Sequence, residues 1–476
     1  KIRMLTQITA AELKSKLEQT FLNCGDFNIR AVLVKEQTLY LANLGGYTSR
    51  DYISENVIKP VIDASPDFID DSTFLHVLYS SEAAALANFD EVCNRLLAGF
   101  AVIFCDIPSG VTAYACMSRA DPGRGVSEPD NEAVVRGPRE GFIEKVEDNI
   151  AILRKRLRTP AMKVLSFQSG KYSEITVKVV YIEGVADINL VNDVAQRIKN
   201  MKLDSVMDSG YIEQFLTGGR SRLFTEVGNS EKPDKVAAKL TEGRVAVLCD
   251  GSPVALTVPY LFVESLQSAE DYLKTPYYAT FIRFVRFVSM LISLYLPAFY
   301  MAVMEHHKNA VPHMLYSAMT EARQDVPFSL FGELVVILLI FELIREVGVR
   351  MPGAVGSAVS IVGGLILGDA AISAGITSAP VIMVASLTAI TTFILPPYMN
   401  STVLVRFANI LAARLFGIVG IALSLTLLIV HLCGKKSFGV PYMLPFAPVN
   451  VSGLNDTVFM RPKKALENSS KELGGS

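Results

Sequence analysis

Apolar stretches long enough to cross a bilayer are confined to one end of this chain. Before about residue 286 there is almost none, and afterwards five follow in close order, at 287–304, 327–344, 354–376, 380–397 and 403–433. Four are near the roughly twenty apolar residues that a spanning helix needs, and the last is longer. A mean hydropathy of +0.35 fits that division, because a soluble chain of 476 residues with only 19% charge has too little polar surface to cover itself. The expected fold class is therefore α+β followed by all-α: tandem αβ cytoplasmic subdomains, then a polytopic helical membrane domain. The boundaries expected are 1–135 for the first αβ subdomain, 136–160 for a linker and a basic-ended helix, 161–276 for the second subdomain, 277–434 for about five membrane segments, and 435–476 for a cytoplasmic tail.

Charge and cysteine usage remove other classes. Forty-five basic residues against 47 acidic ones give a net charge of −2, which offers no electrostatic footprint for nucleic acid. The six cysteines are scattered without a CxxC pair, so neither a zinc site nor a disulfide framework is expected. Lys1 and Arg3 are not followed by the apolar core and cleavage site of a signal peptide, so the first half is expected to stay cytoplasmic.

That half carries an internal repeat. The stretch from Asn88 to Asp106 matches the stretch from Lys232 to Asp250 without a gap, at an offset of 144 residues, with Val, Leu, Gly, Cys and two Asp positions in common. Each copy reads as a helix ended by Gly99 or Gly243, a buried strand, a turn at Asp106 or Asp250, and a further strand. Strand-like Ala31–Val34 and Ile175–Ile182 are expected to open the two copies, each followed by a helix. Between the copies lies turn-rich Asp121–Asp130, then a helix from Ile143 to Arg158 with acids at its start and bases at its end, complementing the helix dipole. It reads as a solvated surface helix. Arg136, Arg139, Arg154 and Arg156 are alternatively candidates for contact with lipid headgroups or a neighbouring subunit.

In the membrane half, basic residues Arg283 and Arg286 before the first segment, and Lys435 and Lys436 after the last, place both ends on the cytoplasmic side. Five spans cannot return the chain to the side it left. Either the short stretch Val311–Thr320 helps to cross or one segment is re-entrant. Intramembrane charges cost roughly 2.5–3.5 kcal/mol each on insertion scales unless they face protein or water, so Glu333, Glu342, Arg345 and Asp369 are candidates for function. Glu333 reads either as a cation-attracting gate or as a carboxyl bonded to a neighbouring helix. Glu342 and Arg345, at i,i+3, suit an intrahelical pair, Asp369 a mouth residue, and Arg406 and Arg414 either snorkel or pair with those acids. The glycines of 354–376 suit close helix packing. Val384, Thr388, Thr391, Thr392 and Leu395 share a face of the fourth segment. Hydroxyls bounded by apolar residues suit a narrow, wettable pore lining or, equally, interhelical hydrogen bonding.

Catalytic signals are missing: there is no GxxxxGK[ST] loop, no GxSxG elbow and no HExxH. The His306-His307 pair with His313 reads as a loop rather than a metal site. No cofactor is expected.

Six separated motifs carry a resemblance. Val135-Arg-Gly-Pro-Arg-Glu-Gly-Phe142 with Asn149 and Leu153-Arg-Lys-Arg156, Val180-Tyr-Ile-Glu-Gly-Val-Ala186, Val326-Pro-Phe328, Phe341-Glu-Leu-Ile-Arg-Glu-Val-Gly-Val-Arg-Met-Pro352, Ile361-Val-Gly-Gly-Leu-Ile-Leu-Gly368 and Phe438-Gly-Val-Pro-Tyr442 together resemble the A subunit of GerA-type spore germinant receptors. Gln324-Asp325 stands where the family's loop tends to carry a glycine. The resemblance implies a multi-pass protein of the spore inner membrane, acting with a transporter-like B subunit that binds nutrient and with a C subunit lipoprotein. It further implies self-association, as a ring of five, around a pore that releases monovalent cations at germination. A SpoVAF-like subunit that amplifies germination is the nearest confusable relative. A secondary transporter, in which Glu333 and the glycine-rich segment would form the coupling site, is the alternative from another class; the visible repeat in the soluble half counts against it.

Overall fold

The computed structural model describes residues 8–34, 37–64, 75, 77–80, 82–107, 110–119, 132, 137–218, 223–350, 366–394, 396–450, 454, 457, 459 and 460. The described residues form two compact units, one within 1–218 and 226–260, the other within 223–225 and 261–460.

In the first unit the strand order repeats. Helix α1 (Ala10–Thr20) leads into β1 (Phe27–Val34) and β2 (Gln37–Leu44), helical turns from Arg50 to Ala64, β3 (Ala83–Ala85), α2 (Phe89–Leu97), β4 (Phe100–Ile107) and β5 (Gly110–Met117). The second copy runs α3 (Val146–Arg156), β6 (Met162–Ser169), β7 (Ile175–Ile182), α4 (Ile188–Lys199), α5 (Ser209–Leu216), β8 (Gly228–Ser230), α6 (Pro233–Thr241), β9 (Val245–Cys249) and β10 (Ala255–Val258). The two antiparallel sheets have the orders β1-β2-β4-β5-β3 and β6-β7-β9-β10-β8, the same order twice.

The repeated residues explain why. Gly99 and Gly243 sit just past α2 and α6 at φ of 89° and 91°, the left-handed conformation that glycine adopts most cheaply. The repeated Asp106 and Asp250 reach back to the helix that opens each copy. Asp106 Oδ1 accepts from the Ala10 N–H at 2.7 Å, and Asp250 Oδ1 from the Val146 N–H at 3.1 Å. Each carboxylate thus satisfies a first-turn amide at the positive end of a helix.

Two sequence expectations are corrected here. Ala31–Val34 is not the counterpart of Ile175–Ile182. Cys105 faces Leu39 of β2, and Cys249 faces Val177 of β7, so β2 is the counterpart, while Ala31–Val34 belongs to an edge strand that turns back into a hairpin. The helix read as a solvated surface helix is the opening element of the second copy. Val146, Ile150 and Leu153 enter the second core beside Val164, Val180 and Leu240, whereas Ala151 packs in the first. Burying apolar side chains of this size is worth about 1.5–3 kcal/mol each, which outweighs the solvation of a charged helix end.

The second unit is helical: α7 (Pro276–Glu305), α8 (His313–Glu321), α9 (Leu330–Arg350), a helix at 366–373, α10 (Ala379–Thr392) and α11 (Met399–Gly434). Helices α7, α9, α10 and α11 share one core, with Met301, Leu334, Leu338, Val384, Ala385 and Ile410 buried. By length and composition, Pro276–Glu305 and Pro396–Gly434 are long and apolar enough to cross a membrane. Helix α11 is not straight. Gly417 breaks it at φ 58°, ψ −138°, and the arms 399–416 and 418–434 fold back on each other. A Cβ placed on Gly420 would run into the Ala412 carbonyl oxygen, and Tyr295 of α7 lies beside both Asn409 and Ser424. The far ends of the two arms also meet. Tyr398 and His431 both pack on Phe224, and the Tyr398 and Tyr442 hydroxyls are 2.9 Å apart.

Candidate functional site

The polar centre of the helical unit is Arg406, only 1% exposed amid apolar helices. Its placement begins with a proline. Pro297 inside α7 has no N–H, so the Ser293 carbonyl four residues earlier loses its helical partner. Arg406 Nε donates to that carbonyl at 2.8 Å, its Nη1 reaches Glu342 Oε1 of α9 at 3.2 Å, and its Nη2 donates to Thr392 Oγ1 of α10 at 2.6 Å. Asn409, nearly one turn further on, donates to the Leu294 carbonyl at 3.0 Å. Arg345 pairs with Glu342 at 2.7 Å, the intrahelical partner that the spacing predicts. One planar guanidinium thereby holds four helices in register, a role its fixed fork of donors suits and a lysine cannot fill.

Glu333, 1% exposed, is the second buried charge. Its Oε1 accepts from the Thr377 hydroxyl at 3.1 Å and from both the N–H and the hydroxyl of Ser378 at 2.7 Å, while Arg323 Nε meets Oε2 at 3.0 Å. The carboxylate is therefore spent on the start of α10, where Ser378 is the N-cap and Pro380 lies in the first turn. These contacts are those of a carboxyl bonded to a neighbouring helix. Sequence reasoning missed Arg323, Thr377 and Ser378 as its partners, although Ser378 ahead of Ala379-Pro380 is a helix-start signal. Asp369 is exposed, and a Cβ placed on Gly368 would touch Ile382 of α10 at ordinary contact distance. Residues 354–365 of the third segment lie outside the described residues.

The threonine stripe, read as a pore lining or as a site of interhelical hydrogen bonding, faces inward within this single chain. Val384 is 5% exposed, Thr388 0%, Thr391 5% and Thr392 4%. Thr388 Oγ1 donates to the Val384 carbonyl at 2.7 Å, Thr391 to Leu387 at 2.8 Å and Thr392 to Thr388 at 2.8 Å. The chain's own helices cover these residues, and the outer face of α10 is apolar, with Met383, Leu387, Ile390 and Phe393 exposed. The physical reason is the Arg406 network, which draws Thr392 toward the bundle centre. Leu395 lies outside the described residues.

The basic candidates of the first unit divide similarly. Arg154 contacts neither lipid nor partner: it is fully buried, with Nε and Nη2 on Asp26 at 2.8 and 3.0 Å and Nη1 on the Thr159 carbonyl. Arg156 pairs with Glu140 at 2.6 Å, Arg139 is exposed, and Arg136 lies outside the described residues. Around Arg154 the two copies join. Gly25 N–H donates to the Val164 carbonyl and Val164 N–H to Asn23, at 2.7 and 2.9 Å. Burial pushes the Cys24 thiol beside it up from its usual range, so it is no reactive thiolate. Among the described residues, no cluster of His, Cys, Asp and Glu suits a metal ion.

The chain matches the family described as Bacillus/Clostridium GerA spore germination protein over residues 15–472. It belongs to the GerA family. Among GerA relatives, spore germination protein KA of Bacillus subtilis (strain 168) is 35% identical over 461 residues, covering 94% of this chain and 84% of its own. Spore germination protein GerLA of Bacillus cereus is 36% identical over 396 residues, covering 83% and 80%. Among solved structures, the N-terminal domain of the A subunit of the Bacillus megaterium spore germinant receptor GerK3 is similar at 22% identity and a TM-score of 0.41, covering 55% of this chain and 98% of that one.

Proposed function

We propose that this GerA-family chain is the A subunit of a nutrient germinant receptor in the spore inner membrane, and that it forms an oligomeric, nutrient-gated channel for monovalent cations. The observation that carries the reading is the match across nearly the whole chain to spore germination proteins, joined to a helical unit that buries Glu333 and Arg406 and turns many apolar side chains outward. A transporter-like B subunit supplies nutrient binding, and a lipoprotein C subunit completes the receptor. The paired αβ subdomains couple neighbouring copies, a pentameric ring being the assembly proposed. The hairpin of α11 supports a multi-pass topology with both ends cytoplasmic, because its arms, each about 26 Å at 1.5 Å per residue, count as two passes and make the total even.

In this reading the Arg406 network holds the closed state. Opening is a shift between two packings of the bundle, driven by whatever binds one packing more tightly. A conduction path along Thr388 and Thr391 then requires α10 to rotate out of the packing seen here, breaking the bond between Arg406 and Thr392.

Deleting the chain from spores and recording potassium release to a panel of nutrients tests the reading. Loss of the response to one nutrient class supports a receptor subunit. Uniform slowing with every nutrient would replace it with a SpoVAF-like amplifying role.

A further inference from the structure

We propose that His306 and His307 form a proton-responsive latch on the turn of the α11 hairpin. The two residues follow α7 directly and reach opposite sides of the break at Gly417. His306 Nε2 lies 2.7 Å from the Arg414 carbonyl oxygen, and His307 Nε2 lies 3.3 Å from the Ile418 backbone nitrogen. Residues 414 and 418 are the i, i+4 pair that a continuous helix would bond to each other. The break separates them, and each finds an imidazole in place of its partner. A Cβ on Gly417 would lie 2.8 Å from His307 Nε2 and 3.0 Å from His306 Cβ, so the rings are packed onto the turn itself.

The chemistry of the two bonds assigns different protonation to the two rings. A carbonyl only accepts, so His306 Nε2 carries a hydrogen. A backbone N–H only donates, so His307 Nε2 presents its lone pair. A second proton on His306 goes to Nδ1 and leaves its bond intact, and a cation there suits the negative C-terminal end of the first arm. A second proton on His307 must take Nε2. It sets two N–H groups against each other and puts a cation at the positive N-terminal end of the second arm. A second proton on His307 therefore works against the hairpin where one on His306 does not, and imidazole is the side chain whose charge ordinarily changes between pH 5 and 8.

Among the described residues no carboxylate pairs with His307. Glu305 at the end of α7 and Lys308 in the next turn are exposed; Arg414 of α11 lies over Phe331 of α9 at 4.6 Å; Glu333 and Arg323 bond each other. Protonation of His307 thus frees the Ile418 amide and loosens the tip of the hairpin.

The chain contains no tryptophan, so Phe416→Trp at the exposed tip is a single reporter. The full chain in phosphatidylcholine vesicles, titrated from pH 8 to pH 5, is expected to show one emission shift. His307→Gln and His307→Asn, whose side-chain oxygens accept without titrating, are expected to abolish the shift, and His306→Gln to keep it. Circular dichroism at pH 8 identifies any variant that has lost its helices, and the other His307 variant is then decisive. No shift in the parent, or an unchanged shift in the folded His307 variants, overturns the latch.

Discussion

Asp26 and Arg154 form a two-bond ion pair, 2.8 and 3.0 Å, in which neither side chain is more than 1% exposed. The pair joins the start of β1 in the first αβ copy to α3 of the second. Removing one member of such a buried pair costs about 3–5 kcal/mol, because the other is left charged and unpaired. Arg154→Ala should therefore lower the thermal midpoint of the detergent-solubilised chain markedly, while the double replacement Asp26→Leu with Arg154→Met should recover much of the loss. Equal damage from single and double variants would show that the pair is not what matters at the junction.

Gly25 marks a close approach of the two copies. A Cβ there would meet Ser166 Oγ at 2.6 Å and the Val164 carbonyl oxygen at 2.9 Å, and the carbonyl cannot swing away. Gly25→Ala should destabilise the first unit by about 1–3 kcal/mol, the usual cost of overpacking. Gly184→Ala, with nothing within 4 Å of the added carbon, should show only the strain of its positive φ. Limited proteolysis of the two variants side by side checks the order.

Thr391 separates packing from conduction. Being 5% exposed and bonded to its own helix, it should accept Thr391→Val with little change in the amount of protein reaching the membrane fraction. Thr391→Trp should fail to accumulate because the bundle has no room for it. Silence in a tryptophan variant would consequently say nothing of a pore unless the protein is present. Normal accumulation of Thr391→Trp would contradict the inward packing of α10.

Acid should weaken one contact of the first unit in a defined direction. Burial alone would raise the Glu132 carboxyl. The Lys235 ammonium at 2.7 Å, with hydrogen bonds from Lys235, from Ser230 and from the Glu231 N–H, instead holds it below the usual carboxylate range. A carboxyl lowered in the folded state stabilises above its unfolded value and loses that contribution as pH falls through the folded one. Glu132→Gln should therefore be less stable than the parent at pH 7, and the difference should shrink below about pH 4, the ordinary range of a carboxylate. Thermal melts at the two pH values check the sign; a gap unchanged in acid would contradict it.

What the residue pattern made legible was local. The repeat showed because Gly99 with Gly243 and Asp106 with Asp250 are single residues whose conformation or charge a turn and a helix start require. The identity of β2 with β7 was hidden because Gln37-Thr-Leu-Tyr-Leu-Ala-Asn-Leu44 alternates only loosely, while neighbouring Ala31–Val34 has the stronger β-branched signal. Helix α3 was misjudged because charge at its ends dominates its composition, whereas burial depends on the one face carrying Val146, Ile150 and Leu153. The apolar run 403–433 gave no warning of a hairpin: its glycines at 417 and 420 look like packing glycines until the chain is seen to reverse. The Arg406 network was only half visible. Pairing with an acid followed from the cost of a bare charge in an apolar bundle, but the Ser293 carbonyl became a partner only through Pro297, a relation between helices far apart in sequence.

The same network supplies a prediction for gating. Arg406→Lys keeps the charge and loses the fork, so contact with Ser293, Glu342 and Thr392 together is lost. Spores carrying it should either leak potassium without nutrient or lack the protein in the membrane, which immunoblotting distinguishes. Full accumulation with wild-type nutrient dependence would remove Arg406 from the gate.

The central claim is a nutrient-gated cation path through this chain and its copies. Its most direct test is potassium efflux from vesicles holding the purified full-length chain with its B and C partners, recorded before and after nutrient addition. The account predicts little efflux beforehand and a rise on addition that disappears when this chain is omitted. Assembled complexes that bind nutrient yet pass no potassium would contradict it.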